Sequence, residues 1–291
     1  MKTRYLTNIF LLVFIIGLYW FINREAAVTN ENINISSLNT THVTKIIIQR
    51  NNRDDIILSK KSGDWMLISP IDVQANDTRI NLILGLLTTA PHNQFPIDSD
   101  LSLQQFGLDS PKISVQLNEQ HFYFGNIEPL SKHRYIRYNN TIYLIDDSVA
   151  PLLNANAASF INNRLIPKEL HISRLTLPSM SNKASTTSTL TISTEDGHWQ
   201  STDSSLSKDT LTALIDAWQY AYAIQVIPLS QDVLHDSIGQ SISIELSNQT
   251  TVELLLQFDK RSMYLIDINK KLKYQFPLSI KQQFFPKDTT P

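Results

Sequence analysis

The stretch Ile113-Ser114-Val115-Gln116-Leu117-Asn118 decides the fold. Apolar and polar residues alternate at a period of two, which marks a strand with one dry and one wet face. About 130 positions later the chain reads Ile242-Ser243-Ile244-Glu245-Leu246-Ser247, with the same alternation. Behind the first stretch come Phe122 and Phe124, then Tyr135 to Tyr138, then Ile142 to Ile145. Behind the second come Val252, Leu254, Leu256 and Phe258, then Tyr264-Leu265-Ile266-Asp267 and Leu272-Lys273-Tyr274.

The elements upstream repeat as well. Thr44 to Gln49 and Asp55 to Ser59 flank the polar cluster Asn51-Asn52-Arg53-Asp54 and read as a hairpin, followed by Gly63-Asp64-Trp65 and a third short strand. Asp77 is expected to cap a helix carrying Ile80, Ile83, Leu84 and Leu87, with Pro91 beyond its end. In the second half, Ile172 to Leu177 opens the series, and Asp196-Gly197 makes a tight-turn signal between two strands, with Trp199 where Trp65 fell. Ser207 is expected to cap a helix whose stripe is Leu211, Leu214, Ile215, Trp218 and Tyr222.

Strands and helices therefore segregate in runs, without the strict alternation of a doubly wound sheet. The reading is α+β, with two tandem copies of a mostly antiparallel sheet and a covering helix. Residues 43–167 form the first copy, including a connecting helix expected over Asp147 to Leu165 around Val149, Leu152 and Leu153 and ended by Pro167, and residues 168–291 form the second. Ser179 to Ser188 reads as a surface insertion within it.

The amino-terminal run fixes the expected compartment. Ile9, Leu12, Phe14, Ile16, Leu18, Trp20 and Ile22 belong to a charge-free apolar stretch that follows Lys2 and Arg4. Extended back to Tyr5, it would reach roughly 27 Å as a helix, close to a bilayer's hydrocarbon thickness. A cleaved signal peptide competes with this reading, but the exit through Tyr19, Trp20, Phe21, Arg24 and Glu25 is an aromatic belt followed by charge, without alternating small residues. Residues 1–25 are thus expected to hold a cytoplasmic start and a transmembrane anchor, residues 26–42 a polar spacer, and the bulk of the chain to lie on the extracytoplasmic side of a bacterial inner membrane.

Composition excludes several classes of function. The chain has no cysteine, so it has no disulfide framework, no lipid-modified cysteine and no thiol nucleophile. Removing Lys2 and Arg4 from the net charge of −2 leaves −4, which gives no electrostatic footprint for nucleic acid. With only seven glycines there is no phosphate-cradling loop, and no Gly-x-Ser-x-Gly elbow is present. The seven histidines form no pair at ligand spacing on one helix, so no metal or cofactor site is expected. At a strand end Asp146-Asp147 could bind calcium or run acid/base chemistry, but in a strand the two side chains would point to opposite faces, so the pair reads instead as a helix-initiating cap.

The hairpin closing on Gly63-Asp64-Trp65, with Pro70 shortly after, the string Phe106-Gly107-Leu108-Asp109-Ser110-Pro111 and the later Phe124-Gly125-Asn126 resemble the bacterial family called domain of unknown function 4340. The second copy departs from the pattern, with Ser237-Ile238-Gly239-Gln240 in place of the Gly-Leu-Asp-x-Pro string. No enzymatic activity is established in that family, and the resemblance points to accessory components, as some members look to be, beside ABC-type transport or gliding-related membrane systems. Physically, Gly107 suits a positive φ, Asp109 can bond the local backbone and Pro111 sets an extended entry to the next strand. Trp65 and Trp199 suit sheet packing.

Three functions compete on these grounds. The first is a non-enzymatic, membrane-anchored module that contacts membrane lipid through its anchor and another inner-membrane or periplasmic protein through sheet edges or the groove between copies. The second is a periplasmic binding module holding a glycan or lipid fragment between the copies. The third is a hydrolase without a recognisable motif.

Overall fold

The alternating stretch at 113–117 becomes a strand in the middle of a nine-stranded antiparallel sheet, in a computed structural model that describes residues 12–19, 34–178, 189–230 and 239–286. In chain order its strands are β1 (Lys45–Arg50), β2 (Arg53–Lys61), β3 (Asp64–Ser69), β4 (Val73–Gln74), β5 (Asn93–Pro96), β6 (Ile113–Leu117), β7 (Gln120–Ile127), β8 (Arg134–Tyr138) and β9 (Thr141–Ile145). Across the sheet they run β4-β3-β2-β1-β6-β7-β8-β9-β5. The second sheet holds β10 (Ile172–Pro178), β11 (Thr189–Glu195), β12 (His198–Ser201), β13 (Gln225–Pro228), β14 (Gln240–Leu246), β15 (Thr251–Phe258), β16 (Ser262–Asp267) and β17 (Leu272–Pro277). Its order is β12-β11-β10-β14-β15-β16-β17-β13. Mostly antiparallel sheets with a few helices are thus the architecture.

Tight turns set the registers. Arg50 faces Arg53, Lys61 faces Asp64, Leu117 faces Gln120, Tyr138 faces Thr141 and Glu195 faces His198, so each hairpin closes through two residues. Those turns contain Asn52, Ser62-Gly63, Asn118, Asn139 and Asp196-Gly197 at positive φ. Such residues match the twist that a two-residue hairpin needs. The polar cluster expected between β1 and β2 is accordingly divided: Asn51 and Asn52 turn, while Arg53 and Asp54 already belong to β2. Asn118 also clamps the start of β1, accepting from the Thr44 and Lys45 amides at 2.9 and 3.1 Å and donating to the His42 carbonyl at 2.9 Å.

Helix α2 (Asp77–Leu84) follows β4. Its cap is Asn76, whose Oδ1 accepts from the Arg79 amide at 3.2 Å, and Asp77 sits in the first turn. The expected cap is displaced by one residue because Asn76 holds the extended backbone that a cap requires. Ile80, Ile83 and Leu84 bury its inner face. In the second unit Ser207 does cap its helix, Lys208–Gln219, accepting from the Thr210 amide at 3.2 Å. On that helix Trp218 is fully buried, meets Phe284 and Phe285 edge-on, and donates Nε1–H to the Phe284 carbonyl at 2.8 Å. Tyr222 lies beyond the helix and is exposed, so the predicted stripe stops at Trp218.

The connecting helix is shorter than expected. Only α3 (Ala150–Leu153) and a 3-10 turn at Ala157–Phe160 form between the units, after which the chain extends. Burial on both sides explains the extension: Ile161 bridges to Ala75 of the first unit and Arg164 bridges to Tyr222 of the second, while Ile161, Leu165 and Ile166 enter the core. Asn163 binds both sides, accepting from Asn76 Nδ2 at 3.1 Å and donating to the Ala223 carbonyl at 2.7 Å.

Residues 12–19 form a separate helix, α1, on which Leu12, Phe14, Ile16 and Leu18 are exposed. The other expected anchor positions, Ile9, Trp20 and Ile22, lie outside the described residues, as does Ser179 to Ser188. Among the described residues no helix is long and apolar enough to cross a membrane. The expected spacer ends sooner than 42. Ile35 is 3% exposed within the core, and the Ser36 hydroxyl donates to Gln120 Oε1 at 2.6 Å, so residues 34–42 lie against the first sheet.

Trp218→Ala removes a fully buried indole and should lower unfolding free energy by about 3–5 kcal/mol. Trp199 is only partly buried against the core, so Trp199→Ala should cost clearly less. Urea unfolding followed by fluorescence checks the ranking, and equal costs would contradict the assignment of Trp218 as the keystone of the second core.

Candidate functional site

The string at 106–111 meets Phe124-Gly125-Asn126 at one end of the first sheet. A 3-10 turn, Leu103–Phe106, ends at Gly107, whose φ of 66° lets the Gly107 and Leu108 amides fold back onto the Gln104 and Leu103 carbonyls at 3.0 Å. Leu108 is buried beneath. A Cβ on Gly125 would collide with the Phe106 carbonyl oxygen and approach the Leu108 side chain at 2.9 Å, and one on Gly107 would approach Asn126 at 2.6 Å. Gly125 thus admits the Phe106 backbone, and Gly107 admits the Asn126 side chain. Asp109, expected to bond the local backbone, is exposed and takes no part in this lock. Gly63 and Pro70 lie at the two ends of β3, with Trp65 buried between them, and Trp199 is in the second sheet. None of these four joins the cleft.

Beside the lock opens a cleft of about 1030 Å³, lined among others by Arg50, Arg53, Lys112, Asn126, Arg134 and Asp147. Its cations serve mainly to tie loops. Arg50 donates to the Ala155 and Asp54 carbonyls at 2.8 Å, and Arg53 donates to the Asn154 carbonyl at 2.9 Å. Burial, with Arg53 alongside, pulls the Arg50 guanidinium below its ordinary pKa. Arg134 grips Asp147 with two bonds of 2.6 and 2.7 Å and also donates to the Gly125 carbonyl. That fork is largely screened from water and ties the Gly125 strand, β7, to the end of β9.

The next residues in sequence face elsewhere. Asp146 Oδ1 lies 3.1 Å from His92 Nε2 and 3.4 Å from His133 Nε2, and the two imidazoles stack with centroids 3.8 Å apart. The expected helix-capping role of Asp146-Asp147 is therefore replaced: α3 has Val149 as its cap residue without a side-chain bond, and each aspartate holds a different basic partner. The predicted divergence of the two side chains explains the division. Helical ligand spacing does not predict this pair, because the two histidines meet through strand order, β8-β9-β5. Glu128 shapes the approach to His133. Its carboxylate accepts from Ser131 and Leu130, and these bonds, those of the Ser131 hydroxyl first, hold it below its usual range.

Between the two units lies a smaller cleft of about 430 Å³, with Met66, Val73, Ile161, Arg164, Leu272 and Tyr274 in its walls. Its lining is mixed, without a convergent pair of ionisable groups of shifted pKa.

Gly125→Ala forces a methyl against the Phe106 carbonyl oxygen, so backbone must shift to admit it, and should destabilise the protein by about 1–3 kcal/mol. Gly63→Ala meets open space, with the cost confined to its positive φ. Denaturant midpoints of the two variants give the comparison, and a harmless Gly125→Ala would remove the lock from the account of the string.

Comparison with curated proteins and with solved structures finds no match. The family model described as Domain of unknown function (DUF4340) matches residues 65–226, which take in the glycine lock, the cleft lining from Gly107 onward, the histidine cluster and the connector. The match covers more than half of the chain, and the chain belongs to that family.

Proposed function

We propose that the protein is a membrane-tethered, non-enzymatic extracytoplasmic module built from two copies of one α+β unit, serving as an accessory or scaffold component of an envelope assembly such as an ABC-type transporter. The observation that carries this reading is α1. Its side chains are exposed all round the helix, apolar residues included, and a helix of that character is stable in lipid or inside protein, not in water. The shared strand order of the two sheets supports the reading of two copies.

Partner contact through strand addition is disfavoured by the edges. The outermost strands have two and four residues in the first sheet and four and four in the second, too short to template a long pairing. An apolar stripe offers a better surface: Tyr220, Tyr222 and Ile224 are all exposed beside the connector, and the Arg164 guanidinium lies 5.9 Å from the Tyr222 ring. The competing reading, a glycan or lipid fragment held between the units, draws only on the 430 Å³ cleft.

Because the chain has no cysteine, single-cysteine variants report topology cleanly. Glu119→Cys and Lys260→Cys, in the two sheets' exposed turns, should react with a membrane-impermeant maleimide in intact spheroplasts. Reaction only after lysis would overturn the extracytoplasmic placement. A photo-crosslinking amino acid at position 222 should capture an integral membrane protein, whereas capture of none, with a glycan or lipid raising thermal stability, would favour the competing reading.

A further inference from the structure

We propose that His92, His133 and Asp146 form a binding site for a divalent late first-row transition ion, zinc foremost, at one end of the first sheet. The three donor atoms lie within 4.8 Å of one another. Two ligands at about 2.0–2.1 Å from a tetrahedral ion stand roughly 3.3 Å apart. The two histidine-to-aspartate separations are 3.1 and 3.4 Å, so the carboxylate oxygen already sits at ligand distance from both imidazole nitrogens. Two imidazoles and one carboxylate suit zinc, nickel or copper far better than calcium or magnesium.

The scaffold fixes the donors before any ion arrives. The last register pair of β8 and β9 joins Arg134 to Ile145, and one step beyond it His133 stands across from Asp146. His92 is pinned by its own amide, which donates to the Leu144 carbonyl of β9 at 2.8 Å. The Glu128 turn closes on His133 from the other side, with the Glu128 amide donating to the His133 carbonyl at 2.7 Å. Asp147, locked to Arg134, prevents the end of β9 from drifting. The mouth is open: Asp146 and His92 side chains are 71% and 47% exposed, so an ion would enter from solvent and keep a free coordination position.

Two features set the strength of binding. The rings are within 6° of parallel, and an ion in the plane of both requires the stack to splay, a motion the exposed His92 ring can make. His133 Nδ1 is buried without a hydrogen-bond partner, so the outer-shell acceptor that normally orients a ligating imidazole is missing. Both weaken the site relative to a closed structural zinc centre and make it exchangeable.

The test uses the full chain in detergent, purified through a tag without histidine and stripped with chelator. Zinc is titrated in competition with a chromogenic chelator. One ion per chain should bind, and His92→Ala, His133→Gln and Asp146→Asn should each weaken binding by about tenfold or more, while His121→Ala and His198→Ala leave it unchanged. Unchanged urea midpoints show that the three variants remain folded. Absence of stoichiometric binding would mean a purely hydrogen-bonded cluster, and binding that survives His133→Gln and Asp146→Asn would mean scattered surface histidines; either overturns the proposal.

Discussion

The pairing of β1 with β6 is the constraint on which the rest of the first unit depends. Ile46 faces Leu117 and Ile48 faces Val115 across that pair, and all four side chains are removed from water. β1 therefore lies between its hairpin partner β2 and a strand more than sixty residues away in sequence. Between β1 and β6 the chain adds β2, β3 and β4 on one side of β1, crosses through α2 and places β5 at the far edge beside β9, so β6 must return across the sheet to meet β1. The second sheet meets the same demand with β10 between β11 and β14, Leu175 facing Ile244. Closing such long loops costs entropy before any contact repays it, so the buried aliphatic ladder must be continuous.

Much of this was legible because periodicity and turn chemistry act locally. Ile113 to Leu117 alternates over a burial pattern that also alternates, and Asp196-Gly197 turns where a two-residue hairpin needs positive φ. The errors fall where tertiary contacts decide. Asn76 displaces Asp77 as the cap by holding the extended backbone at the helix start, where its side chain also reaches Asn163. The connector beyond Phe160 extends because Ala75 and Tyr222 offer it bridging partners on opposite sides, and no local propensity encodes that. The segment around Ile35 is polar in composition, yet Ile35, the Ser36 bond to Gln120 and Leu38 together hold it on the core.

The candidate site shows the same division more sharply. The turn at Gly107 is legible from its glycine and from Pro111 beyond it, but that Gly125 must also lack a side chain to admit the Phe106 carbonyl follows from a contact between distant segments. His92, His133 and Asp146 are separated by 41 and 13 positions, a spacing that belongs to no short motif. Sheet order brings them together, and sheet order is a property of the whole unit.

Adjacent residues at the end of β8 and β9 then do different tasks through the simplest property of a strand. His133 and Asp146 turn to one cluster, while Arg134 and Asp147 turn to another, as successive side chains must. The Arg134 fork is screened and rigid, and it binds the Gly125 carbonyl as well, so it couples the lock to the strand ends. The histidine side remains open to solvent on the same backbone. A rigid pair behind an accessible cluster is the arrangement that holds donor atoms in place without closing them off. A slip of one residue in the β8–β9 register would exchange the two faces and destroy both at once, so the Asn139 turn that sets this register governs the chemistry available at the opposite end of the hairpin.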